Sequence, residues 1–244
     1  MGEVEYKNNL ERTLEYFRHF DRKGLLKKLV NKDEPVILDI GASVGQTLKE
    51  FKEIWPNSYV HCFEPLVESY NELVKNNFKR VKYNNFALGN ENSTRKKFYY
   101  HKVQPMLSGF EKINKRSKDS IAINNPSMAG ISKGEFVKNI NDEITVEVKT
   151  LDDCWFSGDI DIIKLDAQGG ESKIFEGAQE TLKRTKVVLT ELHFYDLYEN
   201  KKSFSDIEKY LHPAGFRLYD ISHISKNPMN GRTDWVDVIY TKEK

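Results

Sequence analysis

The chain has little cysteine, no long apolar run and no charge bias, and each shortage closes a class of function. Its two cysteines, Cys62 and Cys154, have the spacing of neither a metal site nor a disulfide framework, which points to a reduced, cytosolic protein. No apolar run approaches the ~20 residues of a membrane span. The stretch from Met1 to Arg22 is charged throughout and has no signal-peptide core. Lys plus Arg number 38 and Asp plus Glu 37, a formal net charge of +1, so nothing global argues for nucleic acid or an anionic membrane as partner. Repeats and low-complexity tracts are absent too. What is present is 39% hydrophobic residues in a chain of 244, enough to bury a large core, and 31% charged residues to solvate it.

The most informative stretch is residues 36–47. Val36, Ile37, Leu38 and Ile40 make a short apolar run, the pattern of a strand buried on both faces of a parallel sheet. Asp39 interrupts it near its end, Gly41 and Gly45 follow, and Thr47 opens an amphipathic helical pattern. A strand, a glycine turn and a helix bring backbone close to a ligand at the carboxyl edge of a sheet. The spacing selects the ligand. A dinucleotide fingerprint requires glycines where Ser43 and Gln46 stand, and the phosphate loop ending in Gly-Lys-Ser/Thr is missing. The remaining pattern, Asp-x-Gly-x-x-x-Gly, resembles the first motif of S-adenosylmethionine-dependent methyltransferases; an ordinary βα turn of another α/β protein is the competing reading.

Before this motif, residues 1–34 read as an N-terminal helical segment, with Leu10, Leu14, Phe17, Phe20, Leu25, Leu26 and Val30 at roughly helical spacing and packing as their plainest role. Residues 35–244 read as one domain. Tyr59 to Phe63 is a second strand ending at Glu64-Pro65. Glu64 lies where a nucleotide-binding βαβ unit places its ribose-binding acid. A third strand ends at Ala87-Leu88, small and apolar side chains that suit an adenine face. Residues 102–142 read as an insertion, either a substrate-covering loop offering Met106, Phe110 and Met128 or a mobile surface loop. Asp159 to Asp166 is a fourth core strand running into Ala167-Gln168-Gly169-Gly170-Glu171, and Val187 to His193 a fifth.

Taken in order, Asp-x-Gly-Ala-x-x-Gly-Gln, Phe-Glu-Pro, Ala-Leu-Gly, Thr-Leu-Asp-Asp, Ile-Lys-Leu-Asp-x-x-Gly-x-Glu, Glu-Gly-Ala and Glu-Leu-His resemble the FkbM family of S-adenosylmethionine-dependent methyltransferases over residues 36–242. One departure is Gln168-Gly169-Gly170-Glu171, where the family more often has Glu-Gly-Ala-Glu. The resemblance implies a Rossmann-like α/β fold with a mostly parallel, seven-stranded sheet, helices on both faces and an antiparallel last strand. It also implies S-adenosylmethionine as cofactor, held by Asp39, Gly41, Ala42, Gly45, Gln46, Thr47, Glu64, Pro65, Ala87, Leu88, Asp166 and Gln168, with the strand-end acid near its amino group. The activity it implies is O-methylation of a saccharide, a polysaccharide precursor or a related metabolite.

Methyl transfer to a hydroxyl gains most from alignment of the reacting atoms, and it needs a base to take the hydroxyl proton. The candidates are His193, Asp166 and Glu191. His193 is the first choice because an unperturbed imidazole titrates near neutrality. Asp166 is a second base or the group that fixes the tautomer of His193, and Glu171 suits the N-terminus of its helix. No metal is expected; a minority alternative places a divalent cation on Asp166, Glu191 and His193. Lys112, Lys115, Arg116 and Lys118 form a basic run, either a solvated face or a contact for a sugar-nucleotide phosphate. Phe194, Tyr195, Tyr198 and Trp235 are either sugar-stacking or packing residues. Other readings stay open: an N-methyltransferase or metal-dependent O-methyltransferase of this fold, a nicotinamide-dependent oxidoreductase, or a non-catalytic S-adenosylmethionine-binding protein. The partner expected is a small-molecule or saccharide acceptor. The oligomeric state is open, a homodimer included.

Overall fold

The structure is a computed structural model of the whole chain and describes residues 9–19, 21–117, 132–194, 196–200, 203–227 and 230–242. Two helices, α1 (Asn9–His19) and α2 (Arg22–Val30), lead into β1 (Val36–Ile40), α3 (Gln46–Ile54), β2 (Tyr59–Phe63), α4 (Val67–Val74), β3 (Val81–Asn84), β4 (Ala87–Leu88) and β5 (Ser93–Tyr100). After a 3-10 turn at Pro105–Leu107 come α5 (Lys133–Lys138), β6 (Asp142–Lys149), β7 (Ile160–Leu165), α6 (Glu171–Glu176) and α7 (Gln179–Lys183). The chain closes with β8 (Thr185–His193), α8 (Phe204–Leu211), β9 (Phe216–Lys226) and β10 (Thr233–Lys242).

Seven strands form one sheet in the order β3-β2-β1-β7-β8-β10-β9. All neighbours from β3 through β8 pair in parallel, and β10 runs antiparallel to both β8 and β9. The order reverses direction at β1, so the carboxyl ends of β1 and β7 flank the crevice where open α/β sheets bind ligands.

Both faces of the sheet are buried, which is why its strands read as apolar runs. Leu38, Ile163, Val188 and Val238 face a core shared with Ile174, Phe175, Leu182 and Leu211 of α6, α7 and α8. Ile37, Ile162, Val187 and Ile239 face a second core with Leu25 and Leu26 of α2 and Leu48 and Phe51 of α3. Each such fully buried side chain contributes about 1.5–3 kcal/mol relative to exposure. α2 is tied down further: Arg22 pairs with Asp237 at 3.2 Å, Lys32 with Asp161 at 2.8 Å, and Lys186 Nζ donates to the Val30 carbonyl at 2.8 Å.

Helix α1 departs from the packing expected of it. Leu10 and Leu14 are exposed, and the helix is fixed to the body instead by the Tyr16 hydroxyl donating to Asp220 at 3.2 Å. The residues between β3 and β7 also build something the sequence pattern did not show, a second sheet of three strands ordered β4-β6-β5. Alternation in β5 and β6 says only that each is half buried; it does not say which sheet receives it. No helix among the described residues is long and apolar enough to cross a membrane. Phe20, Lys118, Met128 and Tyr195 lie outside the described residues.

Candidate active site

The turn after β1 is built around a backbone clash that only glycine avoids. Gly41 has φ of +76°, and a Cβ there would lie 1.9 Å from the Asp166 carbonyl oxygen at the end of β7. That close approach opens a cleft of about 230 Å³ along the carboxyl edge. One side is apolar, made by Phe63, Phe86, Ala87 and Leu88; Glu64, Asp166 and Gln168 supply polar groups. Pro105, Met106, Leu107, Ser108 and Phe110 cover it, with Phe110 edge-on to Phe98 at 5.1 Å. The first part of the 102–142 insertion therefore lies over the cleft.

Glu64 sits at the end of β2 with its carboxylate nearly buried. One oxygen accepts the Ser43 N–H at 2.9 Å and the other the Leu66 N–H at 2.9 Å. Each oxygen keeps a lone pair for a further donor. Burial pushes its pKa up to about 7, against the opposing effect of those two N–H groups.

On the other side of Asp166 lies a polar cavity of about 180 Å³, lined by Arg22, Thr47, Glu50, Lys164, Asp166, Glu191 and Asp237 among others. Strand alternation explains this grouping. Asp39 pairs with Lys164 and Glu191 with Asp237 in the sheet register, so all four fall on the face that α2 and α3 cover. Lys164 is the hub. Its Nζ lies 3.6 Å from Asp39 Oδ1, 3.6 Å from Asp166 Oδ2 and 3.4 Å from the Gly41 carbonyl. Burial works against its charge, but the carboxylates of Asp166, Asp39 and Glu191 outweigh it and raise its pKa.

Asp166 is held by the Gln168 amide, whose Nε2 donates at 2.6 Å. The Tyr198 hydroxyl lies 2.5 Å from Gln168 Oε1 and 3.2 Å from the Leu107 carbonyl, joining the β7 loop to the cover. Glu171 shapes the same loop by accepting the Ala167 N–H at 2.9 Å, and burial raises its pKa to about 7. At the end of β8, His193 Nε2 lies 3.0 Å from Glu191 Oε1. Burial alone would lower the His193 pKa; the Glu191 hydrogen bond and the charges of Glu191, Glu171 and Asp166 reverse the sign and raise it.

Of the residues named from sequence, Gly41, Glu64, Pro65, Ala87, Leu88, Asp166 and Gln168 line the cleft, and Thr47, Asp166 and Glu191 line the polar cavity. Asp39, Ala42, Gly45, Gln46 and His193 line neither. Asp39 is fully buried behind the turn, facing Lys164. Glu191, not Asp166, is the hydrogen-bond partner of His193. Among the described residues no three His, Cys, Asp or Glu side chains converge as a metal-ligand set. Tyr198 is buried in a cluster with Ile113 and Phe136 that Trp235 also joins, and Phe194 packs against the main core beside Phe204. Within the basic run, Lys115 and Arg116 are exposed, whereas Lys112 lies over the Tyr99 ring at 5.2 Å. Lys164 and Arg22 were missed. A lysine inside the apolar run Ile-Ile-Lys-Leu was the available signal for the first; nothing local marks the second.

Residues 39–218 match the family described as the methyltransferase FkbM domain. The chain belongs to the FkbM methyltransferase family. It is 30% identical over 178 residues to the 2-O-methyltransferase NoeI of Sinorhizobium fredii (strain NBRC 101917 / NGR234), covering 71% of this chain and 69% of that protein. Looser likenesses join it to solved structures. One is the precorrin-6y C5,15-methyltransferase of Geobacter metallireducens GS-15, with 12% identity, 91% of this chain and 88% of that chain covered, and a TM-score of 0.45. Another is an rRNA methylase of Streptococcus thermophilus, with 7% identity, 99% and 100% covered, and a TM-score of 0.46. As an FkbM methyltransferase the protein is an enzyme whose methyl donor is S-adenosylmethionine. The cleft fits that donor on its own features: a buried carboxylate with lone pairs to spare at Glu64, and apolar lining from Phe63, Phe86, Ala87 and Leu88.

Proposed function

We propose that the protein is an O-methyltransferase acting on a hydroxyl of a saccharide, a polysaccharide precursor or a related metabolite in the cytosol. The observation that carries the reading is the Glu191–His193 pair, 3.0 Å apart at the carboxyl edge, on the same strand face as Asp166 beside the cleft. When bound, S-adenosylmethionine supplies a methyl group on a positively charged sulfur. Glu64 would accept hydrogen bonds from its ribose hydroxyls, and Phe63, Phe86, Ala87 and Leu88 would pack on its adenine. Pro105, Met106, Leu107, Ser108 and Phe110 would narrow the cleft around the bound donor.

His193 takes the proton as the acceptor oxygen forms its new bond, and Glu191 stabilises the resulting imidazolium. Asp166, fixed by Gln168 and Lys164, places a carboxylate at the wall of the cleft. The raised His193 pKa makes the imidazole a stronger base that is less often neutral, so turnover rises with pH through that value. Support for oxygen over nitrogen as acceptor comes from the kinship to a 2-O-methyltransferase. The test is a panel of mono- and oligosaccharides with methyl-labelled donor, run on wild type and His193→Ala. Label in a hydroxyl ether, lost in the variant, is expected. Label only on amines, or undiminished turnover in His193→Ala, overturns the reading.

A further inference from the structure

The segment over the cleft is a loop closed at its base and pinned from within. At the base, Tyr99 and Gly109 exchange both backbone hydrogen bonds, 2.8 Å from the Tyr99 N–H and 3.0 Å from the Gly109 N–H. Gly109 sits hard against the turn after β7, where an added Cβ would lie 2.9 Å from the Gln168 carbonyl oxygen. Such loops, with their ends together, are packed by their own side chains. Here that side chain is His101, which is 1% exposed. Its Nδ1 accepts the Val103 N–H at 3.2 Å and the Gln104 N–H at 3.1 Å, and its backbone N–H donates to Ser108 Oγ at 3.0 Å. One residue therefore reaches both limbs of the loop.

Those bonds assign the tautomer. Nδ1 accepts, so the proton is on Nε2, which is buried with no hydrogen-bond partner among the described residues. The ring packs against Phe136 at 4.8 Å, and burial lowers its pKa, so near pH 7 it stays neutral and Nδ1 keeps its lone pair. An unmet, buried N–H is costly, and a leucine would fill the space without it. Packing alone therefore does not account for a histidine at this position; the acceptor at Nδ1 does.

We propose that His101 is a positioning residue for the methyl donor: its Nδ1 holds the loop folded, so that Pro105, Met106, Leu107 and Ser108 stay over the cleft and slow the donor's escape. The inference rests on the reading of the cleft as the donor site. His101 does not line the cleft itself and acts through the four residues that do. Its role is thus distinct from that of His193, which the chemistry would use as a base.

The test compares His101→Leu, which has no acceptor, with His101→Asn, whose side-chain oxygen can take N–H groups two and three residues on. Trypsin reads the loop directly, because Lys102 is exposed and a cut after it requires the loop to open. In unliganded protein that cut, followed by mass, is expected to be about 10-fold faster in His101→Leu, the scale of one or two lost hydrogen bonds. It should be near the wild-type rate in His101→Asn, with cuts elsewhere unchanged in both. S-adenosylhomocysteine should slow the cut in wild type and bind about 10-fold more weakly to His101→Leu by calorimetry. In wild type itself, the Val103 and Gln104 amides should exchange slowly with solvent, which needs no variant to fold. Rapid exchange there, equal cutting of His101→Leu and wild type, or His101→Asn cut as fast as His101→Leu overturns the proposal. So does faster cutting at every site alike, which would make His101 a support of the whole fold, or equal affinity of wild type and His101→Leu for S-adenosylhomocysteine. If wild type binds no S-adenosylhomocysteine, the reading of the cleft falls, and the donor role of His101 with it, while the unliganded cutting rates still decide whether Nδ1 holds the loop.

Discussion

Replacing Gly41 by alanine tests the cleft at the point where its geometry is tightest. An added Cβ would stand 1.9 Å from the Asp166 carbonyl oxygen, whereas real Cβ contacts essentially never fall under 3.0 Å. The β7 end would have to retreat by about 1.1 Å, the difference of those two distances. That movement strains the hydrogen bond from the Asp166 N–H to the Ile40 carbonyl, now 3.1 Å, which contributes about 1 kcal/mol. The residue must also hold φ at +76°, a region that costs an L side chain roughly 1–2 kcal/mol. The expected loss is about 2–3 kcal/mol, a fall in melting temperature of roughly 4–12 °C for a chain of this size. Gly158→Ala separates the two causes: φ there is +74° but nothing lies within 4 Å. It should lose only the conformational part, roughly 1–2 kcal/mol, and bind S-adenosylhomocysteine as wild type does. Melting curves and titration of that ligand on both variants decide the matter. If Gly41→Ala melts within about 2 °C of Gly158→Ala and binds the ligand unchanged, the account of the turn is wrong.

Three further outcomes follow from the site. Glu64→Ala should weaken S-adenosylhomocysteine about 10–100-fold by calorimetry, because a buried carboxylate with two fixed N–H partners is removed; a change under about twofold refutes its role. Glu191→Gln removes the contact that most raises His193, so the acid limb of the pH–rate profile should move to lower pH, while His193→Ala should cost about 10²–10⁴-fold in rate. A limb that stays put in Glu191→Gln would separate His193 from the rate. Glu171 is raised from 4.5 to about 7, so between those values the folded protein holds a proton that the unfolded chain has released. Stability gained from that proton is lost as pH rises through about 7, and Glu64 behaves alike. Melting temperature should therefore fall from pH 5 to pH 8 in wild type and fall less in Glu171→Gln, which keeps an acceptor for Ala167; identical slopes would count against this.

The parallel core was legible because β1, β2, β7 and β8 are buried on both faces and so appear as bare apolar runs closed by Asp or Glu. The small sheet was not, since β4 has only two residues and the partners of β5 and β6 are set by tertiary contacts. Glu64 and Asp166 were readable from their places at strand ends. The inward turn of Asp39 was less plain: one residue before the strand end, alternation points its side chain to Lys164. Arg22 could not be found locally, because what makes it notable is Asp237, 215 positions away.

The placement of β10 has a consequence for how the protein is made. The last strand of the chain is an interior one, inserted between β8 and β9. Until its residues leave the ribosome, β8 and β9 cannot be joined, and Val187, Leu189 and Leu192 lack their neighbours. Arg22 likewise lacks Asp237 until then. From the completion of β8 until β10 emerges, the growing sheet keeps an open edge, an exposure that favours misassembly. Truncation before Thr233 would remove not a tail but the strand that joins β8 to β9.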